Sequence, residues 1–166
     1  VLVDCGMPDD AGAGSEPFGF DPATIDVVLL THAHYDHCGA LPWLVQRGFR
    51  GRILATAATR DLVQLVLLDA AQVLHEAARS PSFDAHDVEA VMTRFDPPVM
   101  PGVPVTLAPG LSASFHDAGH ILGSASVRLQ GADGDGGSAS IAFSGDLGHA
   151  GRPLLDAPDA PPPSDV

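Results

Sequence analysis

The chain has 166 residues, 45% of them hydrophobic, which is enough for one domain with a sizeable core. It carries 21 acidic residues against 8 basic ones, all arginine, for a formal charge of −13. That balance argues against this segment alone gripping a nucleic-acid backbone, which needs a basic patch. No apolar run reaches membrane-spanning length, because Gln64, Asp69 and Gln72 interrupt the most apolar helix, and no signal peptide is visible. No membrane association is expected. Cys5 and Cys38 form no Cys-x-x-Cys pair, so no disulfide framework is expected and a cytoplasmic location fits.

Val1–Asp4 reads as a strand running into Asp4-Cys5-Gly6. An aspartate at a strand end is, taken alone, a turn former. Residues 7–20 form a loop rich in Gly, Asp and Pro, with Phe18 and Phe20 expected to tuck against the core. Asp21-Pro22 supplies an N-cap and a proline at the first helical position. Ile25–Leu30 is apolar and β-branched, a buried strand.

The next segment, Thr31-His32-Ala33-His34-Tyr35-Asp36-His37-Cys38-Gly39, places four metal-binding side chains within six residues. In an extended segment residues two apart point the same way, so His32 and His34 can hold one ion together. Asp36 and His37 follow on a turning loop and can aim at a second point a few ångströms away. Imidazole with carboxylate suits zinc. The cluster leaves the C-terminal end of a strand, the usual place for a site in an α/β protein. Cys38, next to a ligand, reads as a small buried thiol.

A helix follows from about Gly39, ended by Gly48 and Gly51, and then a strand, Arg52–Ala55. Thr56–Arg79 reads as one long helix, with Leu62, Leu65, Val66, Leu68, Val73 and Leu74 at helical spacing. Ser80-Pro81 breaks it, and Asp84 caps a second amphipathic helix reaching Phe95. His75 and His86 read as surface residues. Residues 97–104 form a proline-rich loop. Strands follow at Val105–Leu107 and Leu111–His116, then a hairpin of Ser126–Gln130 and Ser138–Phe143 about a polar turn at 131–137.

His120, in Gly119-His120-Ile121-Leu122-Gly123, sits between glycines that let backbone approach an ion. It is the candidate third ligand of the first metal, with His116 the weaker alternative. Asp146, in Ser144-Gly145-Asp146-Leu147-Gly148, lies at a strand end and can bridge two ions with one oxygen to each. His149 nearby is a lesser candidate for substrate contact.

These motifs carry a resemblance. The His-x-His-x-Asp-His run resembles the signature loop of the metallo-β-lactamase superfamily. Taken with Gly-His-Ile-Leu-Gly-Ser-Ala and Phe-Ser-Gly-Asp-Leu-Gly, it resembles the β-CASP ribonucleases. The resemblance implies an α/β fold, the metallo-β-lactamase αββα sandwich, here incomplete at both ends. Residues 1–156 would be a partial lactamase domain, and residues 157–166 a proline-rich linker and the start of a strand leading toward a β-CASP domain outside this chain. The implied cofactor is two zinc ions. His32, His34 and His120 would hold one, Asp36 and His37 the other, and Asp146 would bridge them. Asp4 matches the aspartate that orients a metal-bound histidine or water, and Asp4 and Asp36 are the candidate catalytic residues.

The implied reaction is hydrolysis of an RNA phosphodiester by two-metal hydroxide attack, leaving a 5′-phosphate and a 3′-hydroxyl. RNA would be held through the β-CASP domain, and the assembly leaves room for a homodimer. The last zinc-ligand histidine and the leaving-group acid would also lie outside these residues, so the fragment alone is expected to be inactive. Hydrolysis of a thioester or lactone is the rival within the superfamily. A flavodiiron-type oxidoreductase would usually have Glu where His34 stands, and a non-catalytic RNA-processing scaffold would have lost ligands.

Overall fold

The computed structural model describes residues 1–7, 18–77, 83–132, 137–151, 153–160 and 163–166. The expected Ser80-Pro81 break, most of the loop at 7–20 and the centre of the hairpin turn lie outside the described residues.

Two sheets stack at the centre. The first is parallel, in the order β1 (Leu2–Val3), β2 (Val27–Leu29), β3 (Arg52–Leu54), with Leu2 opposite Val28 and Val28 opposite Ile53. The second is antiparallel, in the order β4 (Val105–Ala108), β5 (Leu111–Asp117), β6 (Ala125–Ala132), β7 (Ser138–Phe143). The near-continuous apolar run of β2 reflects burial on both faces. Val28 and Leu30 point into one core with Ile53, and Val27 and Leu29 point into the other with Leu54. The first core is closed by helices α2 (Leu41–Gln46), α3 (Ala57–Glu76) and α4 (Ala85–Met92). The second is closed by Ala113 and Phe115 of β5, Ala125 and Val127 of β6, and Val99.

This layering gives helices, sheet, sheet. The outer face of the second sheet carries polar residues, with Ser114 opposite Arg128 and His116 opposite Ser126. Among the described residues no helix covers it, so three of the four expected layers are present. None of the described helices is long and apolar enough to cross a membrane.

The caps follow the sequence. The Asp21 carboxylate accepts from Ala23 N at 3.0 Å and opens a 3-10 turn at Pro22–Thr24. Asp84 and Asp87 form a reciprocal capping box on α4. The apolar spacing of α3, in contrast, holds only in part: Leu62, Val66 and Leu74 pack half-buried on the core, beside the fully buried row. The buried residues are Thr59, Val63, Leu67 and Ala71, one every fourth position, while Leu65, Leu68 and Val73 are exposed. Leucine and valine surround much of this helix, so periodicity alone could not choose which stripe meets the sheet. Phe18 packs on the core as expected, but Phe20 is exposed and meets only the edge of that packing, its ring 5.4 Å from that of Phe18.

The far edge of the second sheet is occupied by the chain itself. Ala142 N donates to Val166 O at 2.8 Å, and the Asp165 carboxylate accepts from the backbone and hydroxyl of Ser140. These bonds hold the Asp165 carboxyl below its usual pKa.

Candidate metal centre

The site forms where loops from both sheets meet. After β2 the chain bends at Thr31 and is extended again at His34, and Tyr35–Cys38 then makes one short helical turn, α1, in place of the turning loop expected. That turn is pinned to the residues after β1. Cys5 N donates to His37 O at 2.7 Å, and Ala40 N donates to Cys5 O at 2.9 Å. Gly6 packs so closely on the carbonyl of Asp36 that no Cβ would fit there. Thr31 O accepts from Ala125 N at 2.8 Å, which ties the loop to the second sheet.

His120 lies on the β5–β6 loop, where Gly119 and Gly123 both have positive φ. The Ser124 hydroxyl accepts from His120 N at 3.0 Å and Ile121 N at 3.2 Å. The hydroxyls of Thr56 and Thr59, at the start of α3, donate to Gly123 O at 2.7 and 2.8 Å. Asp146 follows β7, and Gly148 sits against the carbonyl of Gly119 without room for a side chain.

Four side chains converge. His32, His34, His120 and Asp146 each offer one atom, all within 4.8 Å of one another. His32 Nε2 is 3.1 Å from His34 Nδ1, and His120 Nε2 is 3.2 Å from it. Asp146 Oδ2 lies 3.7 Å from His32 Nε2 and 3.4 Å from His120 Nε2. A tetrahedral ion with bonds of about 2.0–2.1 Å separates its ligand atoms by roughly 3.3–3.4 Å, so these spacings and this nitrogen–oxygen set fit a small divalent cation.

The other oxygen of Asp146 faces a second group. Oδ1 is 3.6 Å from His37 Nε2, which in turn is 3.7 Å from Asp36 Oδ2. Behind His37, its Nδ1 lies 2.8 Å from Asp4 Oδ2. Asp4 therefore stands behind a histidine and away from the open face of the site. Its φ of 57° is uncommon for a residue with a side chain. All six candidate ligands thus lie in one place. Among the other histidines, His116 bonds to Ser114 Oγ at 2.9 Å on the outer face of β5, and His75 and His86 are exposed. His149 contacts the carbonyl of its neighbour Ala150.

Sequence reasoning missed Thr31, Thr56, Thr59 and Ser124. Their roles arise through partners four to 67 positions away, and a lone hydroxyl carries no local signature.

The floor of the site is buried. The His32 side chain is fully buried, while those of Asp146 and Asp36 are 45% and 61% exposed. Burial, then the nearby His37 and His34, lower the His32 pKa from 6.5 to about 4. Burial also pushes the thiols of Cys5 and Cys38 up to about 12, as inert packing groups.

In the metal-free protein the unfolded chain takes up a proton at His32 near pH 6.5 and the folded chain only near 4. Stability from this group is therefore complete above about pH 6.5 and falls as pH drops toward about 4, with a slope approaching 1.4 kcal/mol per pH unit. Urea midpoints of the metal-free protein between pH 7.5 and 4 measure this slope, and His32→Gln should flatten it.

The whole chain, residues 1–166, matches the metallo-beta-lactamase superfamily model. Ribonuclease TTHA0252 of Thermus thermophilus is 42% identical over 168 residues, which cover 100% of this chain and 36% of that protein. Transcription termination factor FttA of Methanococcus maripaludis is 32% identical over 161 residues, 94% of this chain and 25% of that protein. Cleavage and polyadenylation specificity factor subunit 3-I of Arabidopsis thaliana is 30% identical over 165 residues, 97% of this chain and 23% of that protein. The chain thus spans 23% to 36% of the length of these relatives. Among solved structures, BJP-1, a subclass B3 metallo-beta-lactamase of Bradyrhizobium japonicum, superimposes with a TM-score of 0.53 at 24% identity, over 85% of this chain and 50% of that one. A match along its full length makes the chain a member of the metallo-β-lactamase superfamily, with sequence relatives in the β-CASP ribonuclease branch.

Proposed function

We propose that the protein is a zinc-dependent ribonuclease whose metal site is built largely from these residues. The observation that carries this reading is Asp146, whose two oxygens face two different sets of donors. His32 Nε2, His34 Nδ1, His120 Nε2 and Asp146 Oδ2 would hold one ion. His37 Nε2, Asp36 and Asp146 Oδ1 would contribute to the other. The relatives named as a ribonuclease and as a cleavage and polyadenylation factor support RNA as the substrate.

Two zinc ions bound there would lower the pKa of a water toward neutrality and offset charge growing on the phosphoryl oxygens. The chain itself supplies the frame. The buried His32 forms a floor with a single orientation. Asp36 and Asp146 stand at the open side, where a phosphodiester can approach. Asp4 fixes His37 from behind. With a charge of −13, residues 1–166 repel phosphates beyond the reach of the ions, so the surface holding RNA belongs, in this reading, to a β-CASP domain outside them. The two buried free thiols suit a reducing, cytoplasmic setting.

The test uses the full-length protein that carries this chain. Elemental analysis should find about two zinc ions per chain, and a labelled single-stranded RNA should be cut with loss of activity on chelation. Well-folded protein without any transition metal would overturn the metal reading. Metal-loaded protein that hydrolyses a thioester or lactone and leaves RNA intact would overturn the substrate.

A further inference from the structure

We propose that Thr31 is a positioning residue that relays the Asp4 carboxylate to His32, so that one aspartate fixes the tautomers of a histidine in each half of the site. The proposal rests on the metal reading above for its purpose, but its content is a proton arrangement that can be read without metal.

The bonds leave one consistent assignment. A carboxylate at neutral pH only accepts hydrogen bonds. Asp4 Oδ1 accepts from Thr31 N at 2.8 Å, and Asp4 Oδ2 accepts from the Thr31 hydroxyl at 2.8 Å. That hydroxyl has one proton, now committed to Asp4. Toward His32 Nδ1, 3.0 Å away, its oxygen can only accept. His32 Nδ1 therefore carries the ring proton, and Nε2 is left as a lone pair facing His34 and Asp146. On the other side, His37 Nδ1 donates directly to Asp4 Oδ2 at 2.8 Å. In the neutral ring His37 Nε2 is then also a lone pair, aimed at Asp146 Oδ1 and Asp36. Neutral imidazoles with outward lone pairs are the form that binds a cation.

Two further observations support a held arrangement. Asp4 keeps a left-handed backbone, φ 57°, and its N–H still donates to Leu29 O at 2.9 Å. Such strain persists where surrounding bonds impose it. Thr31 is 1% exposed, so its hydroxyl has no solvent to turn to. Thr31 also packs on Gly145, where an added Cβ would lie 2.8 Å from the Thr31 Cβ. A packing role alone would be satisfied by valine, which has the same shape without the hydroxyl.

The experiment labels histidine rings with nitrogen-15 in the full-length protein and reads tautomers by long-range proton–nitrogen correlation, first without metal. Wild type should show His32 and His37 protonated at Nδ1. Thr31→Val should shift His32 toward protonation at Nε2 while His37 keeps its tautomer, and zinc affinity should fall about 10- to 100-fold. Thr31→Ser should restore both. A His32 protonated at Nε2 in wild type overturns the proposal and needs no variant, so a Thr31→Val protein that fails to fold does not shield it. An unchanged His32 tautomer in folded Thr31→Val also overturns it. The stated tautomers in a protein that binds no zinc would sink the metal reading and leave the relay standing. Two bound zinc ions with the wrong His32 tautomer would sink the relay alone.

Discussion

Replacing Asp146 with alanine is expected to cut RNA hydrolysis by the full-length protein by about a thousandfold or more, with the fold nearly unchanged. The side chain is 45% exposed, and its near neighbours are imidazole nitrogens at 3.4 to 3.7 Å. Little packing is lost on truncation. The loss falls on charge, because each donor set then lacks its Asp146 oxygen, the only carboxylate of the His32, His34 and His120 set, and two ions bound there would lose the carboxylate between them. Asp146→Asn separates charge from shape. It should retain the fold and a partial complement of metal, yet remain far below wild type. Measured kcat with zinc content per chain checks both variants. Activity within a few-fold of wild type for Asp146→Ala would reduce Asp146 to a turn residue.

Gly148→Ala should damage the site by a different route. Its new methyl would collide with the carbonyl of Gly119 and lie 2.7 Å from the backbone nitrogen of His120. Both partners are backbone, so neither can swing aside as a flexible side chain would. Gly148 N also donates to Ala118 O at 2.8 Å, which fixes the two loops against each other. The loops must separate, at a cost of about 1–3 kcal/mol in stability, and they carry His120 and Asp146 apart. Zinc content should fall by about one ion per chain or more, with activity lost alongside it. Thermal melts and metal analysis of the variant provide the check. A variant with wild-type zinc content would show that the loops tolerate separation.

The part of the site that was legible in sequence is the part that is local. His32, His34, Asp36 and His37 lie within six residues, and strand periodicity already places the first two on one face. His120 and Asp146 were legible because glycines flank them at ends of apolar runs, a pattern that marks backbone brought close to something. Asp4 was ambiguous alone, since an aspartate after a strand is ordinarily a turn former. Only the parallel pairing of β1 with β2 brings it to Thr31 and His37. The hydroxyls of Thr31, Thr56, Thr59 and Ser124 were not legible, because nothing in their neighbours distinguishes a buttress from a surface hydroxyl. The same limit shows on α3, where Leu62, Val66 and Leu74 of the spaced residues pack on the core and Leu65, Leu68 and Val73 do not. Its true contact row, Thr59-Val63-Leu67-Ala71, includes a threonine and an alanine, and the bulkier Leu65 and Val73 face solvent. Hydrophobicity ranks residues by transfer energy, whereas the row of α3 that enters the core it shares with Val28 and Ile53 is decided by the space available.

His32, His34, Asp36 and His37 ride on loops of the first sheet, while His120 and Asp146 ride on loops of the second. An ion gripped by both behaves as a removable rivet between the two halves of the sandwich. It binds the folded chain and has little hold on the unfolded one, so at a hundred times its Kd it would stabilise the fold by about 2.7 kcal/mol. Metal supply would then govern how long the protein survives as well as how fast it works. In a cell starved of that metal the riveted and unriveted populations would part company at the protease, and abundance would fall alongside turnover.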